Sequence, residues 1–356
     1  MSEAINFKML VVAREARGLT QLELVSKITN LNQGNYSKME KGLLPVPAET
    51  LNSISDLLEF PKSFFLKKEP IHEPGNHYYR KRASLPRKTQ SQLEAKIKCL
   101  IIWVDSFLDD IEIPTFNIPE IRVNDNNQPD IIAHKIRGFM GLPSGPVNNL
   151  INVLEKHGVI VYFIRDTSEK FDGMTMFTNS GQPIIIVNEI LANDRKRFTL
   201  AHELGHLVMH LRGLEIDTAD KELERQANDF AGEFLVPYLD SRADLSGVMM
   251  KDLGILKQYW MVSKASLLYL ANKRCLISPN RYQNMMIELS RNGERKFEGV
   301  PIEIDKPSIL SKMADAYLNE LEYSLPEMEL TIGIKEKDFD YFIKQKPIEH
   351  KLRLVI

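Results

Sequence analysis

The first seventy residues carry short apolar runs that are spaced for helices and separated by glycines and prolines. In the first run the apolar residues recur at helical spacing, at Met9, Leu10, Val12 and Ala13. Thr20, with Glu23 three positions later, is typical of the capping box that starts a helix. The pattern predicts helices over residues 7–16, 21–28, 33–41, 48–58 and 60–66. This segment is therefore expected to form a compact all-helical unit.

The segment 71–89 interrupts the helical pattern. Pro74 and Gly75 lie there beside the basic run Arg80, Lys81 and Arg82, and this composition is typical of a linker. Helical spacing then returns over residues 90–109, 131–140 and 146–157.

Runs rich in β-branched residues come next, bounded by turn formers. They predict strands at 159–164, 174–177 and 183–187, and a small antiparallel sheet. Helical spacing resumes and continues to about residue 270. Apolar residues alternate near Leu330–Ile334 and Leu352–Ile356, and this pattern predicts a second small sheet that docks the substrate or a partner.

Length and charge place only weak limits on the fold and the function. A chain of 356 residues exceeds what one core usually serves, so two or three domains are expected. The net charge of -2 means that any DNA contact has to come from a local face. Cys99 and Cys275 are far apart and form no CxxC pair, so both are predicted to be buried thiols. No apolar run approaches the ~20 residues that cross a bilayer, so no membrane contact and a cytoplasmic location are expected.

The strongest chemical signal is an H-E-x-x-H motif at His202, Glu203 and His206, inside an apolar helical run. Residues four apart on a helix lie on the same face, one turn apart, so both imidazoles can reach one ion. Tetrahedral Zn²⁺ accepts such nitrogen ligands at ~2.1 Å. The motif therefore predicts a zinc site, with Glu203 placed to hold a water.

A hydrolytic zinc site also needs a third protein ligand and an open position. Glu224 begins a run with an apolar helical face, and a helix packed by that face would direct Glu224 to the ion. Glu222 is a nearby rival that lies two residues off this register. His210 continues the histidine face by another turn; it is either a fourth ligand or, more often for such a residue, a partly exposed histidine at a helix end.

These motifs resemble the ImmA/IrrE family of metallopeptidases. The resemblance rests on Arg197 to His210 and on Glu224 to Pro237 (E-R-Q-A-N-D-F-A-G-E-F-L-V-P), and it covers about Val159 to Leu270. It implies that one Zn²⁺ per chain is bound by His202, His206 and Glu224, with Glu203 as the general base.

The resemblance also implies a mechanism of water activation. Zn²⁺ lowers the pKa of its water toward ~7, Glu203 accepts the proton, and the hydroxide attacks a peptide carbonyl. The group that stabilises the oxyanion beside zinc is not assigned by the sequence. The candidates are Tyr162, Arg197 and His210.

The N-terminal helices resemble the XRE family, the Cro and phage-repressor type of helix-turn-helix, on residues 19–24 and 35–42. Such domains place the start of the third helix in the major groove. The positions that this resemblance implies for base reading are Gln33, Gly34 and Lys38. Gln21 falls at a phosphate-contacting position, and Tyr36 is expected to reach the backbone or a thymine methyl. A helical protein-interaction module is the alternative for this segment.

The sequence as a whole predicts a multidomain protein. An all-α helix-turn-helix domain (1–70) and a basic linker (71–89) precede an α+β zincin-like metallopeptidase domain (90–271, with a helical lead-in at 90–157), and a mostly helical or mixed region follows (272–356). The two resemblances together imply a regulator that binds double-stranded operator DNA, as a homodimer on paired half-sites, and cleaves a repressor or antitoxin-like protein when a signal arrives. Self-cleavage stays open. The alternative is a transcription factor whose zinc domain senses a ligand or metal without proteolysis.

Overall fold

The computed structural model describes residues 5–67, 86–165, 167–210, 221–295 and 298–344. The chain folds as two compact units. The first comprises Met1–Ile113, Phe177–Gln182 and Ser308–Ile356, and the second comprises Pro114–Met176 and Pro183–Pro307.

The described elements follow one another in chain order. Before the sheet the helices are α1 (Phe7–Ala16), α2 (Gln21–Val25), α3 (Gln33–Glu40), α4 (Ala48–Leu58), a 3₁₀ turn (Lys62–Leu66), α5 (Arg87–Leu108), α6 (Pro129–Phe139) and α7 (Leu150–Lys156). The strands are β1 (Ile160–Ile164), β2 (Gly173–Phe177) and β3 (Pro183–Asn188). After the sheet come α8 (Asn193–Met209), α9 (Lys221–Leu235), α10 (Tyr238–Leu245), a 3₁₀ turn (Met250–Asp252), α11 (Leu253–Trp260), α12 (Lys264–Lys273), α13 (Pro279–Arg291), α14 (Ile309–Asn319), α15 (Leu325–Thr331), α16 (Glu336–Asp338) and a π-helical turn (Phe339–Ile343).

The first unit is built around helix α5, which packs against α1. Trp103 of α5 is 0% exposed, and its indole N–H donates to the carbonyl of Gly333 at 3.1 Å. Arg17, at the end of α1, forms an ion pair with Asp338 at 2.6 Å. The segment 308–344 therefore shares a core with the N-terminal helices. The predicted domain bounds stay a prediction.

Two local predictions in the first unit have different outcomes. The capping box at Thr20 is confirmed, because Thr20 accepts from the Glu23 backbone and Glu23 accepts from the Thr20 backbone. The sheet predicted near Leu330–Ile334 is wrong. A capping box at Ser324 starts helix α15 there, and helical local bonding takes precedence over the alternating pattern. The other segment of this predicted sheet, Leu352–Ile356, lies outside the described residues.

The sheet of three strands has the order β1-β3-β2. β1 and β3 are parallel, with Ile160 opposite Ile184. Backbone N–H groups donate from Asn188 to the carbonyl of Asp172 and from Thr178 to that of Gln182, so β2 runs antiparallel to β3. The prediction of an antiparallel sheet is therefore wrong, since the sheet is mixed. Every residue of β1 and β3 is buried, as is usual where both faces of a parallel pair are covered.

Helices α8 and α9 form the centre of the second unit. α8 is buried along almost its whole length, and α9 packs between α8 and α6. Gly205 permits the close approach of α9, because a Cβ there would lie 3.0 Å from the Phe230 ring. Gly173 has a similar role in β2, where a side chain would collide with Thr199 of α8. These two glycines bring both α9 and β2 close to the H-E-x-x-H helix.

Two expectations from composition are tested by burial and helix length. Cys99 is buried, but Cys275 is exposed, so the prediction of two buried thiols is wrong for the second. Cys275 lies after the end of α12 with a φ of 56°, in a turn that leaves its side chain outside the core. Among the described helices, none is long and apolar enough to cross a membrane.

Candidate metal centre

Helix α8 presents His202 and His206 on one face, as the spacing predicts. Both side chains are buried, and the second helix, α9, brings Glu224 up to them. One ligand atom from each of the three residues lies within 4.8 Å of the others. Among the described residues, this is the group of histidine, cysteine and acidic side chains that could hold a metal ion.

The distances between the two Nε2 atoms and the Glu224 carboxylate are close to those of a tetrahedral site. The two histidine Nε2 atoms are 3.0 Å apart. The Glu224 carboxylate oxygens lie 3.4 Å from His202 Nε2 and 3.3 Å from His206 Nε2. Ligands held ~2.1 Å from a tetrahedral ion lie ~3.4 Å from one another. The spacing therefore suits an ion of zinc's size at the centre.

Hydrogen bonds fix which nitrogen of each imidazole faces the site. His202 Nδ1 lies 3.0 Å from the Asn228 side-chain oxygen, which can only accept, so Nδ1 carries the proton. A neutral ring then has its lone pair on Nε2, toward Glu224 and His206. Burial lowers the pKa of His206, and this favours the neutral ring that a metal requires.

His206 is oriented through a relay that leads out of the site. The Nε2–H of Gln226 donates to Glu222, so the side-chain oxygen of Gln226 faces His210. This oxygen lies 2.9 Å from His210 Nε2 and accepts its proton. His210 Nδ1 is then an acceptor, and His206 Nδ1 donates to it at 3.0 Å. His206 is left with a lone pair on Nε2. Donation of the second ring N–H to a fixed partner is how proteins orient metal-binding histidines.

This relay changes the interpretation of His210. A partly exposed histidine at the helix end was expected, but the side chain is 5% exposed. It is also outside the group of three ligand atoms. The expectation fails because the residue occupies the helix C-cap, where α9 covers it and supplies Gln226.

Glu203 lies on α8 beside the first histidine and is buried. Its Oε2 accepts a hydrogen bond of 3.0 Å from Thr175 Oγ1, on strand β2. β2 therefore fixes the carboxylate that the sequence places beside the metal ligands. Thr175 carried no signal in the sequence, because β2 reaches α8 only through the tertiary fold.

The rival carboxylate Glu222 and the oxyanion candidate Arg197 are bonded to other partners. Glu222 is exposed and bonded to Arg225 at 2.6 Å, so it does not compete with Glu224. Arg197 is 1% exposed and donates to the main-chain carbonyls of Met261, Asn148 and Val147. It supports the chain around α8 and is an unsuitable donor for a reaction intermediate.

The DNA-contact candidates lie on α2 and α3 of the first unit. Gln33, Gly34 and Lys38 are exposed at and after the start of α3. Gln21 is half-buried at the start of α2, donates to Glu40 at 2.6 Å and accepts from Gln33 at 3.4 Å. These bonds link the start of the two helices.

Tyr36 is placed differently from the prediction. It is 0% exposed and lies in the core of the helical unit. A buried ring cannot reach a DNA backbone or a thymine methyl, so its assignment as a DNA contact is wrong. The apolar body of Tyr36 fills the space under α3, a common role for an aromatic ring on the inner face of an amphipathic helix.

Comparisons with known proteins concern the same part of the chain. Residues 154–272 match the sequence model of a family described as Peptidase_M78, the IrrE N-terminal-like domain. None of the curated proteins matches the chain. Among solved structures, a Mycobacterium tuberculosis transcriptional regulator matches at 18% identity with a TM-score of 0.30, over 41% of this chain and 46% of that one. The chain thus spans less than half the length of that regulator. The matched range includes both histidines and Glu224, so the cluster lies in the segment that is similar to the IrrE N-terminal-like domain of the Peptidase_M78 family.

Proposed function

We propose that this chain is a DNA-binding transcriptional regulator with zinc-dependent endopeptidase activity. One observation carries the proposal: the ligand atoms of His202, His206 and Glu224 converge within 4.8 Å, and buried Glu203 follows the first of these residues on the same helix. Two imidazole nitrogens and a carboxylate oxygen are the ligand set of many hydrolytic zinc sites. Three protein ligands leave a position for a water or substrate.

The donor set fits one Zn²⁺ per chain. His202 and His206 would hold it through Nε2, and Glu224 through its carboxylate. Bound there, zinc would lower the pKa of a water and polarise the substrate carbonyl. Asn228 and His210 keep the two imidazoles in the required tautomer.

In the proposed hydrolysis, Glu203 transfers the proton. Its carboxylate oxygen accepts a proton from the attacking water and then delivers it to the amide nitrogen of the leaving peptide. The hydrogen bond from Thr175 holds the Glu203 carboxylate in one orientation. Burial of Glu203 excludes bulk water that would compete for the proton.

The proposed protein substrate is a repressor or antitoxin-like partner, cut in response to a signal. The family resemblance of the H-E-x-x-H segment is the support for this substrate class. The proposed DNA partner is double-stranded operator DNA. Exposed Gln33, Gly34 and Lys38 on α3, with Gln21 on α2, suit a helix that enters the major groove, and paired half-sites would require a homodimer.

The test is to express the wild type and Glu203→Gln beside the adjacent genes and to search for shortened proteins by mass spectrometry. We expect one protein to be shortened only with the wild type, while both forms retain zinc. A Glu203→Gln form that still shortens it would remove Glu203 from the base role. A wild type that holds zinc and shortens nothing would contradict the peptidase and favour a sensor.

A further inference from the structure

The first turns of α5 lie against the connection between α1 and α2. Gln92 of α5 donates a side-chain N–H to the carbonyl of Ala16 at 3.4 Å. Gly18, in the connection, has a φ of 68°, and a Cβ there would lie 2.9 Å from Gln92 Nε2. Glycine at this position therefore permits both the turn and the close approach of α5. The start of α5 adjoins the start of α2, the helix that crosses the phosphate backbone in helix-turn-helix proteins.

An exposed ion pair joins the two helix starts. Lys88 Nζ, in the first turn of α5, lies 3.0 and 3.1 Å from the two carboxylate oxygens of Glu23 on α2. One of these oxygens also accepts the backbone N–H of Thr20 at 2.7 Å, so the Lys88 ammonium is held beside the first turn of α2. The side chains of Lys88 and Glu23 are 58% and 46% exposed. Water screens a pair as exposed as this one, so Lys88 can exchange Glu23 for another anion at little cost.

Lys88 is neutralised by Glu23, but its neighbour Arg87 is not neutralised. The hydrogen bonds from the Thr20 backbone and from Lys88 lower the pKa of Glu23 to about 2, so Glu23 is ionised at neutral pH. Arg87 is exposed and has no ion-pair partner among the described residues. The start of α5 therefore presents one free cation and one cation that a single carboxylate holds.

The helical unit before α5 has little positive charge of its own. Residues 1–69 contain nine Lys or Arg and eight Asp or Glu. Two of the arginines are committed to carboxylates, Arg14 to Glu40 and Arg17 to Asp338. Most of the affinity of a protein for DNA comes from cations that neutralise phosphates. A DNA-binding surface on α2 and α3 therefore needs cations from a neighbouring element.

We propose that Arg87 and Lys88 form a second phosphate-binding surface for double-stranded DNA, beside the start of α2, and that Glu23 competes with the DNA for Lys88. This inference rests on the proposed function, because it adds contacts to the DNA-binding face of the same helix-turn-helix. A phosphate contact reads no base. The surface therefore raises the affinity for every duplex equally and leaves the sequence preference to α3.

The test measures the binding of the full chain to two duplexes by fluorescence anisotropy, over a series of salt concentrations. One duplex is selected by the wild type from a random-sequence pool, and the other has the same length and a scrambled sequence. We expect Arg87→Gln to weaken binding to both duplexes by a similar factor, about 5-fold. The slope of log affinity against log salt should become shallower by about 0.9, the value for one phosphate.

Lys98→Gln is the control on the same helix. Lys98 is half-buried on α5, about three turns after Arg87. This places it ~16 Å further along the axis, beyond the Debye length of about 10 Å at 0.1 M salt. The variant loses the same charge as Arg87→Gln, and its affinity and salt slope should match those of the wild type.

Glu23→Gln tests the competition for Lys88, with an effect of opposite sign. Glutamine keeps the capping box with Thr20 but no longer neutralises Lys88. Binding to both duplexes should therefore tighten by about 3-fold, and the salt slope should become steeper. Partial unfolding of a variant weakens binding, so it cannot account for a tighter complex.

The outcomes separate this inference from the proposed function. If the wild type binds DNA but Arg87→Gln retains its affinity and salt slope, or Glu23→Gln binds no more tightly, the surface is overturned and the DNA-binding function stands. A loss in Arg87→Gln that is confined to the selected duplex would assign Arg87 to base reading and also overturn the inference. If the wild type binds neither duplex at low salt, the DNA-binding function and this surface are both overturned.

Discussion

The Nε2 atoms of His202 and His206 lie 3.0 Å apart, with the Glu224 carboxylate against both. Asn228 and His210 accept the protons of the two Nδ1 atoms, so the Nε2 atom of each ring is the one that faces the other ring. The hydrogen bonds around the histidines thus direct two nitrogens and a carboxylate toward one point, an arrangement that could hold a metal ion.

The first prediction concerns His210, which positions His206. His210→Phe keeps an aromatic ring but cannot accept the His206 proton, so we expect the Kd for zinc to rise by about 10- to 100-fold. Competition with a chelator of known affinity measures the change. Glu288→Ala is the control, because Glu288 is exposed on α13 and lies outside the relay, and its zinc affinity should match the wild type. An unchanged Kd in a folded His210→Phe protein would remove His210 from its positioning role.

Thr175 gives a prediction about catalysis. Thr175→Val keeps the shape of the side chain but removes the hydrogen bond to Glu203, and we expect kcat to fall by about 10-fold at unchanged KM and zinc content. Thr175→Ser keeps the hydroxyl and should restore most of kcat. Steady-state kinetics on the cleaved protein measures both constants. If Val and Ser variants have the same kcat, the hydrogen bond does not assist Glu203.

The helix-turn-helix proposal predicts different effects at two positions of α3. Lys38→Ala should weaken binding to a duplex selected by the wild type by about 10-fold, because it removes a major-groove donor. Tyr36→Phe should bind as the wild type does, since Tyr36 is buried. Fluorescence anisotropy at fixed salt compares the two. Wild-type affinity in the Lys38→Ala protein would contradict the proposed groove contact.

A buried ion cluster predicts the response to alkaline pH. Lys257 lies 2.6 Å from Asp194 and 2.7 Å from Glu298. Burial alone would lower the pKa of Lys257, but the two carboxylates outweigh it and raise the pKa above its ordinary 10.5. The folded state therefore holds this proton more tightly than the unfolded state. The resulting stability is full below pH 10.5 and is lost as the pH rises through the folded-state pKa.

Chemical unfolding at a series of pH values checks this sign. The free energy of unfolding of the wild type should fall above pH 10.5, and Lys257→Met should lose less over the same range while being less stable at neutral pH. Lys251→Met, at an exposed lysine, should follow the wild type. An identical decline in the wild type and Lys257→Met would assign the alkaline loss to other groups.

The sequence predicted the features that depend on local spacing. The capping box at Thr20 and the shared face of His202 and His206 follow from residues three or four apart. The approach of Glu224 to the two histidines was also predicted, because its helix carries an apolar face that can pack in few ways. Asn228, four residues later on the same helix, could have been found by the same spacing.

Features that depend on tertiary packing escaped prediction. Thr175 reaches Glu203 only because β2 joins the sheet beside β3, and strand order is not written in the apolar pattern. Tyr36 was misplaced because a tyrosine suits both a core and a DNA interface. The contact of Arg17 with Asp338 joins positions more than three hundred residues apart, beyond any local pattern.

The most direct test of the account is the zinc content of the purified full chain, measured by elemental analysis after expression in zinc-supplemented medium. We expect one zinc per chain in the wild type and in Glu203→Gln, and strong depletion in His206→Ala and Glu224→Ala. A folded wild type without zinc, or a Glu224→Ala protein that retains full zinc content, would contradict the proposed centre.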